Sequence, residues 1–180
     1  LLFASLANFG LDNILVRELV KFPEEQNTIL GSAFMLRVVG SAAVLIITWF
    51  AVKINNESDD VALLIYIISA GTIFQAFHVI EFFFQGKVQA KFSASVQSSS
   101  AMLASLFRLL MILLSGGLVW FAFIQALEPI LIAAGFVLVF TLRRESILKW
   151  RFNKDVAKRL FHDAWPLILA SLAVSIYIRV

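Results

Sequence analysis

The sequence has no cysteine and only three prolines and two histidines among its 180 residues. Without cysteine there is neither a disulfide framework nor a thiolate metal site. Charge is scarce as well: 15% of the residues are Asp, Glu, Lys or Arg, where a globular domain carries about 25%. The signatures of catalysis are missing too. No His/Asp/Glu cluster has metal-ligand spacing, no nucleophile has a base, and no glycine-rich phosphate loop follows a strand. An enzyme is therefore not expected, nor a cofactor or a metal. No methionine opens the chain, which begins inside an apolar run at Leu1-Leu2-Phe3 and stops at Arg179-Val180 with another run in progress. That is expected of an internal piece of a longer protein.

Hydrophobic residues, by contrast, make up 61% of the chain, against about 45–50% in ordinary domains. A soluble unit of this length has too little core to hide so much apolar surface, whereas a lipid-facing one need not hide it. Nearly uncharged stretches of the length a helix needs to cross a hydrocarbon core of roughly 30 Å alternate with short charged breaks. Backbone in lipid must satisfy its own hydrogen bonds, which favours helices. The expected fold is all-α: a polytopic transmembrane helical bundle with about six membrane helices. Spans are expected at residues 1–20, 28–51, 61–84, 93–121 and 125–142, with a sixth starting near His162.

The breaks alternate in charge. Arg17 and Lys21, then Lys87 and Lys91, then Arg143, Arg144, Lys149, Arg151, Lys154, Lys158 and Arg159 fill the first, third and fifth breaks; the second holds Lys53 and the fourth none. Basic loops mark the cytoplasmic side. The net charge of +3 thus reports topology and not nucleic-acid binding. Trp49, Trp120, Trp150 and Trp165 fall near the expected helix ends, where amphipathic rings prefer the headgroup zone. In residues 147–161, Leu148, Phe152, Val156 and Leu160 recur every four positions among basic residues. This is the pattern of an amphipathic helix on an anionic leaflet; the alternative is a solvated connector.

An ionisable group in mid-span costs at least about 2.5–3.5 kcal/mol on insertion scales, so it usually faces protein or a wet cavity. At 100° per residue Arg37 shares a face with Ser41, Val44 and Thr48. Gly71, Gln75, His78, Glu81 and Gln85 share another, and Gln97, Ala101, Ala104, Arg108 and Ser115 a third. Arg37 and Arg108 either line a cavity between these stripes or snorkel toward an interface. His78 reads as an interhelical hydrogen-bonder or a proton relay, and Glu81 as an interfacial or a coupling carboxylate. Glu128 before Pro129 and Asp163 before Pro166 read as helix-start residues. Permanent cations inside spans suit the binding of an anion such as phosphate.

The run Asn8-Phe9-Gly10-Leu11-Asp12-Asn13-Ile14-Leu15-Val16-Arg17-Glu18-Leu19 resembles the end of the second helix of polysaccharide-biosynthesis flippases of the O-antigen transporter type. Arg159-Leu160-Phe161, Trp165-Pro166-Leu167 and Ser175-Ile176-Tyr177-Ile178-Arg179-Val180 resemble their seventh helix. The resemblance implies a two-lobed exporter fold of the superfamily that includes the multidrug and toxin extruders, working by alternating access around a central cavity. Residues 1–142 would belong to the first lobe, 143–160 to the basic inter-lobe connector, and 161–180 to the first helix of the second lobe. The implied cargo is an undecaprenyl-pyrophosphate-linked oligosaccharide crossing the bacterial inner membrane. The implied partners are membrane lipids and the polysaccharide polymerase and chain-length proteins. Arg179 matches an often cationic position; an acidic residue commonly follows there, and the chain ends at Val180. Arg37, Arg108 and Arg179 are then the expected headgroup ligands, and Glu81 with His78 the expected coupling groups. The alternatives are a cation-coupled drug exporter of the same superfamily, or a polymerase or scaffold subunit.

Overall fold

The computed structural model describes residues 11–55 and 58–177, with side chains for 12–55 and 58–166. Among them there is no strand. The α-helices are α1 Leu11–Lys21, α2 Gln26–Asn55, α3 Asp59–Gly71, α4 Val79–Gly86, α5 Ala90–Leu113, α6 Leu118–Leu142 and α7 Lys154–Tyr177. Short 3₁₀ turns at Pro23–Glu25 and Ile147–Lys149 precede α2 and α7, and a longer one, Thr72–His78, joins α3 to α4.

Four stretches are long and apolar enough to cross a membrane: Pro23–Asn55, Asp59–Gly86, Ala90–Leu113 and Leu118–Leu142. They correspond to the second through fifth expected spans of a helical membrane bundle. The ends of α1, α4 and α6 and the starts of α2, α5 and α7 gather the basic breaks; the opposite, far end carries the turns after α2 and α5.

The turn between α5 and α6 corrects the expected boundary. It lies at Leu114–Gly117 and not at residues 122–126, so the fourth span ends earlier and the fifth starts earlier. Hydropathy does not fall there; the backbone stops the helix instead. Ser115 takes φ 54°, and the Gly116 N–H donates to Met111 O at 2.8 Å. This is the six-to-one closure of a left-handed C-terminal cap. The same closure ends α4, with Val88 at φ 57°, and α6, with Arg144 at φ 62°. Trp120 therefore opens α6, and Glu128 and Pro129 lie in the middle of α6 instead of at its start. Asp163 and Pro166 likewise lie inside α7, which already begins at Lys154.

The basic segment is not one amphipathic helix. Residues 150–153 are irregular, and helix forms only from Lys154, where Asn153 Oδ1 accepts the N–H groups of Asp155 (2.8 Å) and Val156 (3.3 Å). Such a side-chain acceptor satisfies donors that a helix start leaves free. Val156 and Leu160 turn inward as the pattern requires, but Leu148 and Phe152 are exposed. The segment is docked on α2. Arg151 N–H donates to Asn27 O at 3.2 Å. Asn153 N–H donates to Ser32 Oγ at 3.1 Å, and that hydroxyl lies 3.2 Å from Asn153 O. A Cβ on Gly31 would lie 2.6 Å from Arg151 O, so only glycine admits this approach.

The buried cluster sits near the basic end. Leu15 and Leu19 of α1, Ile29 and Leu30 of α2, Phe82, Phe83 and Phe84 of α4, Phe136 and Phe140 of α6, and Val156 and Leu160 of α7 pack together. Trp150, between α6 and α7, packs between Phe34 (5.5 Å) and Phe140 (5.9 Å).

Candidate functional site

Arg37 lies on α2 about 16 Å above the helix start at 1.5 Å per residue, and its side chain is 3% exposed. Burial without a partner would be prohibitive. Its Nη2 is 2.5 Å from Asp12 Oδ1 on α1, its Nη1 donates to Gln75 O at 3.5 Å, and its guanidinium lies 5.1 Å from the Phe82 ring. One turn along α2, Ser41 Oγ donates to Thr72 O at 3.2 Å. Both acceptor carbonyls belong to the 3₁₀ stretch. Three residues per turn, in place of 3.6, redirects carbonyls there, and α2 supplies donors for two of them. The Arg37 Nε has no partner.

His78 closes the 3₁₀ stretch. Its Nδ1 is 3.2 Å from Glu81 Oε2, and Gln85 Nε2 donates to Glu81 Oε1 at 3.1 Å. The expected face of Gly71, Gln75, His78, Glu81 and Gln85 survives in its second half. At Gln75 the backbone carbonyl, not the amide side chain, meets Arg37. Glu81 also precedes Phe82, under the Arg37 guanidinium, so Arg37, Glu81 and His78 belong to one neighbourhood.

Arg108 belongs to another. It lies about 27 Å along α5 from its basic end, against about 16 Å for Arg37 along α2. Its Nη2 is 2.6 Å from Glu128 Oε2 and 3.1 Å from Gln125 Oε1, both on α6. Pro129, lacking an N–H, leaves the Gln125 carbonyl without its helical donor, so polar side chains and an open backbone position coincide there. The Arg108 side chain is 36% exposed. Arg179 lies outside the described residues.

Asp12 and Glu128 are the residues that sequence reasoning missed: Asp12 is given no role of its own, and Glu128 is read as a helix start. Counting would have found them. Each described arginine in a span sits beside an acidic residue from another apolar run, and for buried Arg37 such a partner is required. Within the Arg37 pair the exposed member is the acid: the Asp12 side chain is 47% exposed.

A second set of charges ties α1 to α7 at the basic end. Arg17 Nη2 is 2.5 Å from Asp163 Oδ2, and Arg159 reaches buried Glu18 (3.2 Å) and Glu25 (3.5 Å). Lys87 meets Glu145 at 3.0 Å between the breaks after α4 and α6. Among the described residues no group of three or more His, Cys, Asp or Glu could hold a metal ion.

A family model described as "Polysaccharide biosynthesis protein" matches residues 1–180. Comparison with curated proteins found no match, and comparison with solved structures found none either.

Proposed function

The chain belongs to the polysaccharide biosynthesis protein family, and from that premise we propose that it forms part of a flippase for a polyprenyl-pyrophosphate-linked oligosaccharide. In this reading the basic end faces the cytoplasm, and the bundle lies in a bacterial inner membrane. Residues 1–142 contribute to the first lobe, 143–160 connect the lobes, and 161–180 open the second. The protein transports and does not catalyse. A polysaccharide polymerase and chain-length proteins take the product onward.

The observation that carries this reading is the pairing of each described intramembrane arginine with a carboxylate on another helix: Arg37 with Asp12 and Arg108 with Glu128. A pyrophosphate, though tetrahedral at phosphorus, presents pairs of oxygens that a guanidinium binds in bidentate fashion as it does a carboxylate, with more charge, so it can compete for the guanidinium fork. Asp12 and Glu128 then act as internal stand-ins that hold the arginines when no cargo is present. Arg179 adds a third cation from the second lobe. Glu81 and His78, beside Arg37, serve as coupling groups. Rocking of the lobes exposes the loaded site to the other side.

One observation favours a second reading, a cation-coupled drug exporter. The accessible charge at the Arg37 site is the half-exposed Asp12 carboxylate, which suits a cation. Both readings are tested by deleting the parent gene and restoring it with Arg37→Ala, Arg37→Lys, Arg108→Ala, Arg179→Ala or Asp12→Asn. Surface polysaccharide and lipid-linked intermediates on each membrane face are then measured. Losing a charge-assisted contact worth about 1.5–3 kcal/mol lowers export about 10- to 100-fold in the alanine variants. Asp12→Asn keeps export if the site handles an anion. Normal glycan in all variants, with lost resistance to cationic compounds in Asp12→Asn, would establish the exporter.

A further inference from the structure

The connector holds two bulky apolar side chains out of the protein. Leu148 is 96% exposed and Phe152 58% exposed, while their neighbour Trp150 is turned inward against Phe34 and Phe140. Lys149, Arg151 and Lys154 alternate with them and are exposed as well. The backbone here is not free. It is pinned to α2 through Asn27, Gly31 and Ser32, so the position of Leu148 and Phe152 along α2 is set.

That position is informative. Asn27 and Ser32 lie in the first two turns of α2, within about 9 Å of its start. Ile29 and Leu30 there are the first residues of the apolar run. The connector therefore crosses α2 where headgroups give way to hydrocarbon. Beside it is a cleft of about 440 Å³ lined by Glu24, Asn27, Thr28, Leu148, Lys149 and Arg151. Of the two acids in the connector, Glu145 is engaged by Lys87 and Asp155 occupies the first turn of α7. Of the side chains lining the cleft, Glu24 is the acidic one.

We infer that residues 148–154 form an anchor for the anionic lipid surface, with Leu148 and Phe152 inserted among acyl chains and Lys149, Arg151 and Lys154 meeting lipid phosphates. Apolar wedges between basic residues at a fixed interfacial height bind by burial and charge together. An amphipathic helix is not needed, because the docking on α2 supplies the order that a helix would. The occupant is lipid and not protein because the patch alternates apolar and basic side chains at the depth where a bilayer offers tails and phosphates. The anchor holds whatever cargo the protein carries.

Residues 1–180 contain no cysteine, so labels introduced in this segment have no competing thiol within it. Leu148→Cys and Phe152→Cys are spin-labelled singly in the full chain, in nanodiscs of phosphatidylcholine with or without phosphatidylglycerol, and in detergent. Phosphatidylglycerol retained through purification is measured in parallel. Labels shielded from an aqueous nickel chelate and open to oxygen in nanodiscs are expected. Lys149→Gln with Arg151→Gln lowers retained phosphatidylglycerol by about fivefold per charge removed, and Glu24→Gln raises it. Both residues are exposed, so folding is unaffected and a melting temperature checks it. Labels open to the chelate in every bilayer, labels equally shielded in detergent, or retention indifferent to all three charges would each overturn the anchor.

Discussion

At the basic end, Phe83, Phe84, Phe136 and Phe140 are at most 3% exposed and lock α4 to α6. At the far end Ile112, Leu113, Leu114 and Leu118 are 61–75% exposed, although they are equally apolar. The difference follows from how many elements converge: α1, α2, α4, α6 and α7 meet in the cluster at the basic end, whereas Ile112–Leu118 sit at the turn that ends α5 and opens α6. Within hydrocarbon, apolar side chains lose nothing by facing lipid, so helix association there depends on close packing and polar contacts and not on hiding from water. At the basic end, aromatic rings, a docked connector and the pairs Arg17–Asp163, Arg159–Glu18 and Lys87–Glu145 accumulate.

The sharpest way to break this contrast is to remove a ring. Phe140→Ala leaves a void among Phe83, Phe84 and Trp150 and is expected to cost about 3 kcal/mol. Leu113→Ala at the far end changes stability by less than about 0.5 kcal/mol. Unfolding midpoints in matched detergent micelles check both. A smaller pair compares glycines. Gly31→Ala drives a methyl into Arg151 backbone and costs about 1–3 kcal/mol, with loss of the connector's protection from proteolysis. Gly117→Ala meets nothing within 4 Å and leaves stability unchanged. The last effect has the opposite sign. Val88 is β-branched, 92% exposed and left-handed at φ 57°, a conformation that costs an L-residue about 1–2 kcal/mol. Val88→Gly therefore raises stability by about 1 kcal/mol, seen as a higher unfolding midpoint. A drop would mean that the valine side chain holds the α4–α5 turn by a contact outweighing its strain.

Much of the fold was legible because the bilayer imposes a local rule: about twenty apolar residues make a span. Residues 28–51 and 61–84 fall inside the observed Pro23–Asn55 and Asp59–Gly86 stretches for that reason. The Ser115-Gly116-Gly117 turn was not legible by the same rule, because a left-handed cap stops a helix without lowering hydropathy. The 3₁₀ stretch at Thr72–His78 was not legible either. Its tighter winding is sustained by donors from Arg37 and Ser41 on another helix, which no local pattern announces. Of the site residues, Arg37, Arg108, Glu81 and His78 stood out as polar atoms in apolar runs. Asp12 and Glu128 did not: Asp12 lies near the end of an apolar run, two residues after Gly10, and Glu128 sits beside Pro129, which offered the simpler reading of a helix start.

The sequence by itself determined that this chain is a set of membrane helices with all its basic breaks but one on alternate turns, since hydropathy and loop charge act residue by residue. Only the tertiary structure decided which charges neutralise each other, that Arg37 is the buried partner and Asp12 the exposed one, and that the connector docks on Gly31 and Ser32 rather than forming a free helix. Those outcomes rest on distances between helices far apart in the chain, and a guanidinium chooses its carboxylate by proximity in space.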